Sequence, residues 1–112
     1  MGRIVPGLPG RVTEDIVERV TGAVDASSIY VFGSRARGDH RSDSDVDIMV
    51  LCPGADGADR HRVATRVGAS FFGFPMSKDV MTESPDVFSK ASSEFGTPES
   101  RIAEEGVLIY ER

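Results

Sequence analysis

Apolar residues recur along this chain in two rhythms, and the switching between them predicts strands layered with helices. Ile16, Val17, Val20, Ala23 and Val24 share one face at a 3.6-residue period, which predicts a helix over 13–24. Thr13 is placed to cap it, and Glu14 and Asp15 suit the positive end of its dipole. Ser28 to Phe32 is a short β-rich run that Gly33 ends. Ser34 to Arg37 predicts a short helix stopped by Gly38, and Asp45 to Leu51 a second strand. On that strand Val46, Ile48 and Val50 take one face, while Met49 and Leu51 join Asp45 and Asp47 on the other. Asp59 to Phe72 predicts a helix on Val63, Val67 and Phe71, with Gly68 inside it and Gly73 and Pro75 after it. A third strand is expected over Ser77–Thr82, and a helical turn over Pro85–Lys90. A helix over Pro98–Glu105 follows, led by Thr97, and Gly106 separates it from the terminal apolar segment Val107–Tyr110. Residues 1–12, with Pro6, Gly7, Pro9 and Gly10, read as a flexible arm ahead of a single domain at 13–112. The expected class is α/β (α+β), with one small sheet flanked by helices.

Composition narrows the picture. With 112 residues the chain has room for one core and not for two. Its apolar runs are far shorter than the roughly 20 residues a membrane helix needs, so no membrane partner is expected. The N-terminus lacks a charged start followed by an apolar signal core, and the expected location is cytoplasmic. Thirteen Lys and Arg against 18 Asp and Glu leave a net charge of −5, which argues against an extended nucleic-acid surface. The cations are nevertheless concentrated: Arg35, Arg37 and Arg41 lie together between the first two strands. Cys52 reads as a small buried hydrophobe, and His40 and His61 lack the company of a zinc site.

That basic loop joins the two features richest in chemistry: the turn Gly33-Ser34 and the pair Asp45, Asp47. Residues two apart on a strand face the same way, about 7 Å apart at ~3.3 Å rise per residue. Two carboxylates there are stable if solvated, if one is protonated, or if a cation lies between them. Gly33 to Gly38 has the glycine spacing of a P-loop, but Asp39 and His40 stand where its Lys and hydroxyl should be. Arg35 occupies the second glycine of a dinucleotide fingerprint. In a calcium hand, Ile48 would replace the turn glycine and Gly54 the bidentate glutamate. What remains is a glycine turn opening a helix, suited to phosphate, beside hard oxygen ligands suited to Mg²⁺. Together they describe a site for a nucleoside triphosphate carried with its metal.

Gly33-Ser34, ten residues, then Asp45-x-Asp47 resembles the signature of the minimal nucleotidyltransferases of the DNA polymerase beta superfamily. The surrounding GSRARGDHRSDSDVDIMVL is worded as that family's is. The resemblance implies a polymerase-beta-like nucleotidyltransferase fold with a small mixed sheet. It implies a third carboxylate on the next core strand, where Asp79 is the match and Glu83 and Asp86 the fall-backs. It further implies two Mg²⁺ ions held by Asp45, Asp47 and Asp79, with ATP as substrate and its phosphates gripped by Gly33 and Ser34. Arg35 and Arg37 are candidates for phosphate or nucleotide contact or for a solvated helix face. Ser44 is a candidate for orienting Asp45 or meeting a metal-bound water, and Lys78 for pairing with a phosphate.

Stand-alone members of the family commonly pair with a HEPN-domain protein in a toxin–antitoxin system. The resemblance therefore implies AMP transfer to a tyrosine of a HEPN toxin, in a hetero-oligomer. Transfer to a small-molecule hydroxyl, and an idle module that neutralises its partner by contact, stand beside that reading. Val107, Leu108 and Ile109, and the cluster Phe71, Phe72 and Phe74, are the expected interface.

Overall fold

A computed structural model describes residues 4–112. Helix α1 (Gly10–Ala23) leads to strand β1 (Ser28–Phe32), the one-turn helix α2 (Ser34–Arg37) and strand β2 (Val46–Leu51). After a single 3-10 turn come α3 (Arg60–Ser70), β3 (Lys78–Glu83), α4 (Pro85–Ser92), α5 (Pro98–Glu105) and β4 (Val107–Glu111). The expected α/β architecture is what forms. The sheet runs in the order β3-β2-β1-β4, with β1 antiparallel to both neighbours and β2 parallel to β3. It is therefore mixed, and its one parallel pair is joined through α3, as parallel neighbours require a long crossover.

The two faces of the sheet bury two separate clusters. Ile29, Val31, Val46, Ile48 and Val50 pack with Ile16 and Val20 of α1 and with Val67 and Phe71 around α3. On the other face Met49 and Leu51 meet Phe88 of α4 and Ile102 of α5, with Tyr30, Phe32 and Met81 beside them. Each fully buried side chain of this size contributes about 1.5–3 kcal/mol. Helices α4 and α5 start for local reasons: the Ser84 and Thr97 hydroxyls accept from the amides of Val87 and Ser100, and proline follows each cap. Arg19 ties α1 to the end of α3, donating to the Ser70 and Phe72 carbonyls at 3.0 and 2.7 Å. A cation there also suits the negative end of that helix.

The start of α1 departs from expectation. Thr13 does not cap α1: the helix begins at Gly10, after Pro9, and Thr13 is inside it and buried. Val5, Leu8 and Val12 extend the buried face towards the N-terminus, and the Gly7 amide donates to the Arg35 carbonyl at 2.8 Å. From Val5 onward the segment expected as a loose arm is thus packed on the core; residues 1–3 lie outside the described residues. Proline and glycine there shape a close approach, since a side chain at Gly7 would overlap the Arg35 backbone. Among the described residues no helix is long and apolar enough to cross a membrane.

Candidate active site

Strand pairing assembles the acidic residues. In the parallel register Asp47 stands directly opposite Asp79, so the two carboxylates share one face of adjacent strands. That is the face of Met49 and Met81, covered further along by α4 and α5. Asp45 lies just before β2 and is exposed, its carboxylate accepting from the Ser77 hydroxyl. Asp47 is half-buried beside Phe32, its partner on β1. Burial, then the charges of Asp79 and Asp45, push the Asp47 carboxyl above the ordinary aspartate range, with Arg37 pulling the other way. Glu83 and Asp86 do not join them: Glu83 is four residues beyond Asp79, about 13 Å along the strand, and Asp86 is on α4.

Gly33 lies directly against Asp47. Its φ of 76° and ψ of −157° belong to a region open essentially to glycine alone. Any side chain there would also overlap the Asp47 carboxylate. The strand-to-helix turn and the aspartate are therefore in direct apposition, which makes two distant stretches of sequence one structural unit. Ser34 opens α2 half-buried, and Gly38, in the left-handed region, ends that helix by donating to the Ser34 carbonyl at 2.9 Å.

The arginines divide. Arg35 is only 6% exposed and donates to the carbonyls of Gly7, Ser44, Ser42 and Arg41 at 2.9, 3.0, 3.2 and 3.4 Å. This corrects both readings of Arg35, the nucleotide contact and the solvated face: its guanidinium is committed to holding the loop before β2. Ser44 works in the same loop, its hydroxyl accepting from the Arg41 amide at 2.8 Å. Arg37 is exposed, paired with Asp39 at 3.1 Å and Glu105 of α5 at 3.5 Å. It lines a small hollow of about 110 Å³ with Gly33, Arg101 and Glu105. Lys78 pairs with Val46 and so faces away from Asp79.

Two of these relations had a signal in the sequence. Ser77-x-Asp79 repeats the spacing of Asp45-x-Asp47, which a parallel alignment of strand starts would have matched. The Arg37–Glu105 contact had none, because nothing local brings α5 to the turn.

Among the described residues no three carboxylate, imidazole or thiol groups stand close enough to form a finished metal-ligand set. The donor chemistry nonetheless fits a hard divalent cation: carboxylate oxygens only, one of them on the half-buried Asp47, whose charge is disfavoured by burial and by two neighbouring aspartates and would be favoured by a cation.

Comparison with known proteins shows the family and the fold. Residues 12–105 match the sequence profile of the family described as "Nucleotidyltransferase domain". Among solved structures, one described as a nucleotidyltransferase from Sulfolobus solfataricus is 24% identical, with a TM-score of 0.61 over 91% of this chain and 79% of that one. A toxin–antitoxin structure with AMP-PNP is 20% identical, with a TM-score of 0.59 over 89% of this chain and 73% of that one. At these identities the likeness shows the fold. No curated protein matches the chain.

Proposed function

The chain belongs to the nucleotidyltransferase domain family, and from that premise we propose that it moves AMP from ATP to a hydroxyl of a partner protein. The partner we infer is a HEPN-domain toxin, the acceptor a tyrosine, and the physiological role that of an antitoxin. The observation carrying the catalytic part is the register of β2, which sets Asp47 opposite Asp79 on β3 and, through its pairing with β1, against the glycine turn. The toxin–antitoxin structure among the fold neighbours supports the choice of a protein acceptor.

Asp45, Asp47 and Asp79 would hold Mg²⁺, which when bound supplies charge neutralisation at the reacting phosphate. Gly33 and Ser34 present the turn and hydroxyl against which the β- and γ-phosphates rest. Arg37, next to the turn and free to exchange Asp39 for a ligand, offers a cation to the same phosphates. The acceptor oxygen bonds to the α-phosphorus as the bond to the bridging oxygen breaks. Pyrophosphate leaves with that electron pair, and the acceptor's proton passes to Asp79. The chain's contribution is positioning and electrostatics rather than covalent chemistry.

The test is ATP labelled at the α-phosphate, Mg²⁺ and a purified HEPN protein encoded beside this chain, read by mass analysis of the partner. One AMP on a tyrosine is expected, absent with Asp45→Ala and Asp47→Ala combined. Transfer that survives the double substitution overturns the site, and neutralisation without transfer overturns the enzymatic reading.

A further inference from the structure

The edges of the sheet offer a second binding feature, remote from the aspartates. Strand β4 ends the sheet, and among the described residues nothing pairs with its outer edge. Such an edge presents a row of unused backbone donors and acceptors. Between it and α1 opens a groove of about 500 Å³, walled by Val17, Ile109 and Tyr110. Glu14 and Glu18, one helical turn apart, line the same groove, and among the described residues no basic side chain does. Among the described residues neither glutamate is in an ion pair. Thr13 belongs to the wall, is 3% exposed, and its hydroxyl has no hydrogen-bond partner among the described residues. A buried hydroxyl left so is costly, and a ligand atom that reaches it relieves the cost.

We propose that this groove docks an extended segment of another protein, which adds a fifth strand beside β4 and sets a basic side chain against Glu14 and Glu18. Strand addition supplies affinity through the main chain, while the groove selects the side chains. The apolar walls take the residues flanking the cation. A second copy of this chain is the wrong occupant: a two-fold interface brings the same patch together, setting Glu14 and Glu18 against their own copies with no cation between. Ile109 packs with the α1 and α3 cluster, whereas Asp47 is on the opposite face of the sheet. A segment bound here leaves the acidic site open.

The test is selection of a random linear peptide library, displayed on phage, against the whole chain, followed by fluorescence anisotropy with the selected peptides. Peptides carrying Lys or Arg between apolar residues are expected. Roughly tenfold weaker binding is expected for Glu14→Lys combined with Glu18→Lys, since a cation then faces a cation. Thr13→Val, which keeps the side chain's shape, is expected to fold and to bind more weakly. Asp47→Asn is expected to bind as well as the parent. Hydrogen exchange should show the amides of Val107–Glu111 protected by the peptide. Enriched peptides without a cation, binding untouched by the glutamate reversals, no enrichment at all, or a dimer through β4 in solution would each overturn the proposal.

Discussion

Replacing Asp47 with Asn should make the metal-free protein more stable while destroying transfer. Asp47 and Asp79 are directly opposite on parallel strands, whose backbones lie about 4.8 Å apart. Two charges ~6 Å apart at an effective dielectric near 20 repel by roughly 3 kcal/mol. Asp79 and Asp45 are both exposed, so solvent and salt screen most of that, leaving about 1 kcal/mol. In a domain of this size that corresponds to about 4 °C in melting temperature. The pH dependence has a definite sign. Asp47 titrates above its ordinary value in the fold, so its contribution is fully present below the unfolded pKa and is lost as pH rises through the folded one. The advantage of Asn therefore opens above about pH 4 and persists at neutrality. Thermal unfolding followed by circular dichroism, with chelator and then with Mg²⁺, measures both effects. Mg²⁺ should stabilise the parent and do less for Asp47→Asn, because a ligand that binds only the folded site raises its stability. An Asn variant that melts at or below the parent without divalent ions, or an equal Mg²⁺ gain in both, would refute the repulsion argument.

Arg35→Lys should lower stability by roughly 2 kcal/mol in urea unfolding, because one ammonium cannot serve four carbonyls in two stretches of chain. A loss under about 0.5 kcal/mol would show that the loop does not need the guanidinium. Glu83, half-buried beside the Glu99 carboxyl, is pushed up to about 7 by burial and by that neighbour, with Arg60 opposing. The pair then holds a proton that is lost as pH rises towards neutrality, and stability falls over the interval from ordinary glutamate values up to about 7. Glu83→Gln should flatten that interval and gain about 1 kcal/mol at pH 8 after allowance for solvent screening, as read from urea midpoints across pH.

The local elements were legible because each is written in a few adjacent residues. Ser28–Phe32, Ser34–Arg37 and Pro98–Glu105 form as their apolar period, caps and glycine stops dictate. The start of α1 was not, since Pro9 and Gly10 look like loop residues until Val5 and Leu8 find a core to fill. The Phe71–Phe74 cluster also split in three dimensions: Phe71 is buried, Phe74 half-buried with its ring edge-on to Phe71, and Phe72 92% exposed.

By itself the sequence determined which groups the chain carries: a glycine-serine turn and two aspartates at strand spacing, in a stretch that fits neither the P-loop nor the dinucleotide fingerprint. Tertiary structure decided how those pieces meet. Only the parallel pairing of β2 with β3 puts Asp79 rather than Glu83 beside Asp47, and only the close approach of turn to strand sets Gly33 against that carboxylate. Tertiary structure also turned Arg35 from a candidate ligand into the staple of the loop, by burying it among carbonyls distant in sequence. The division has one physical cause. Turn, cap and strand preferences act over a few residues, whereas register and burial are set by which distant surfaces exclude water together.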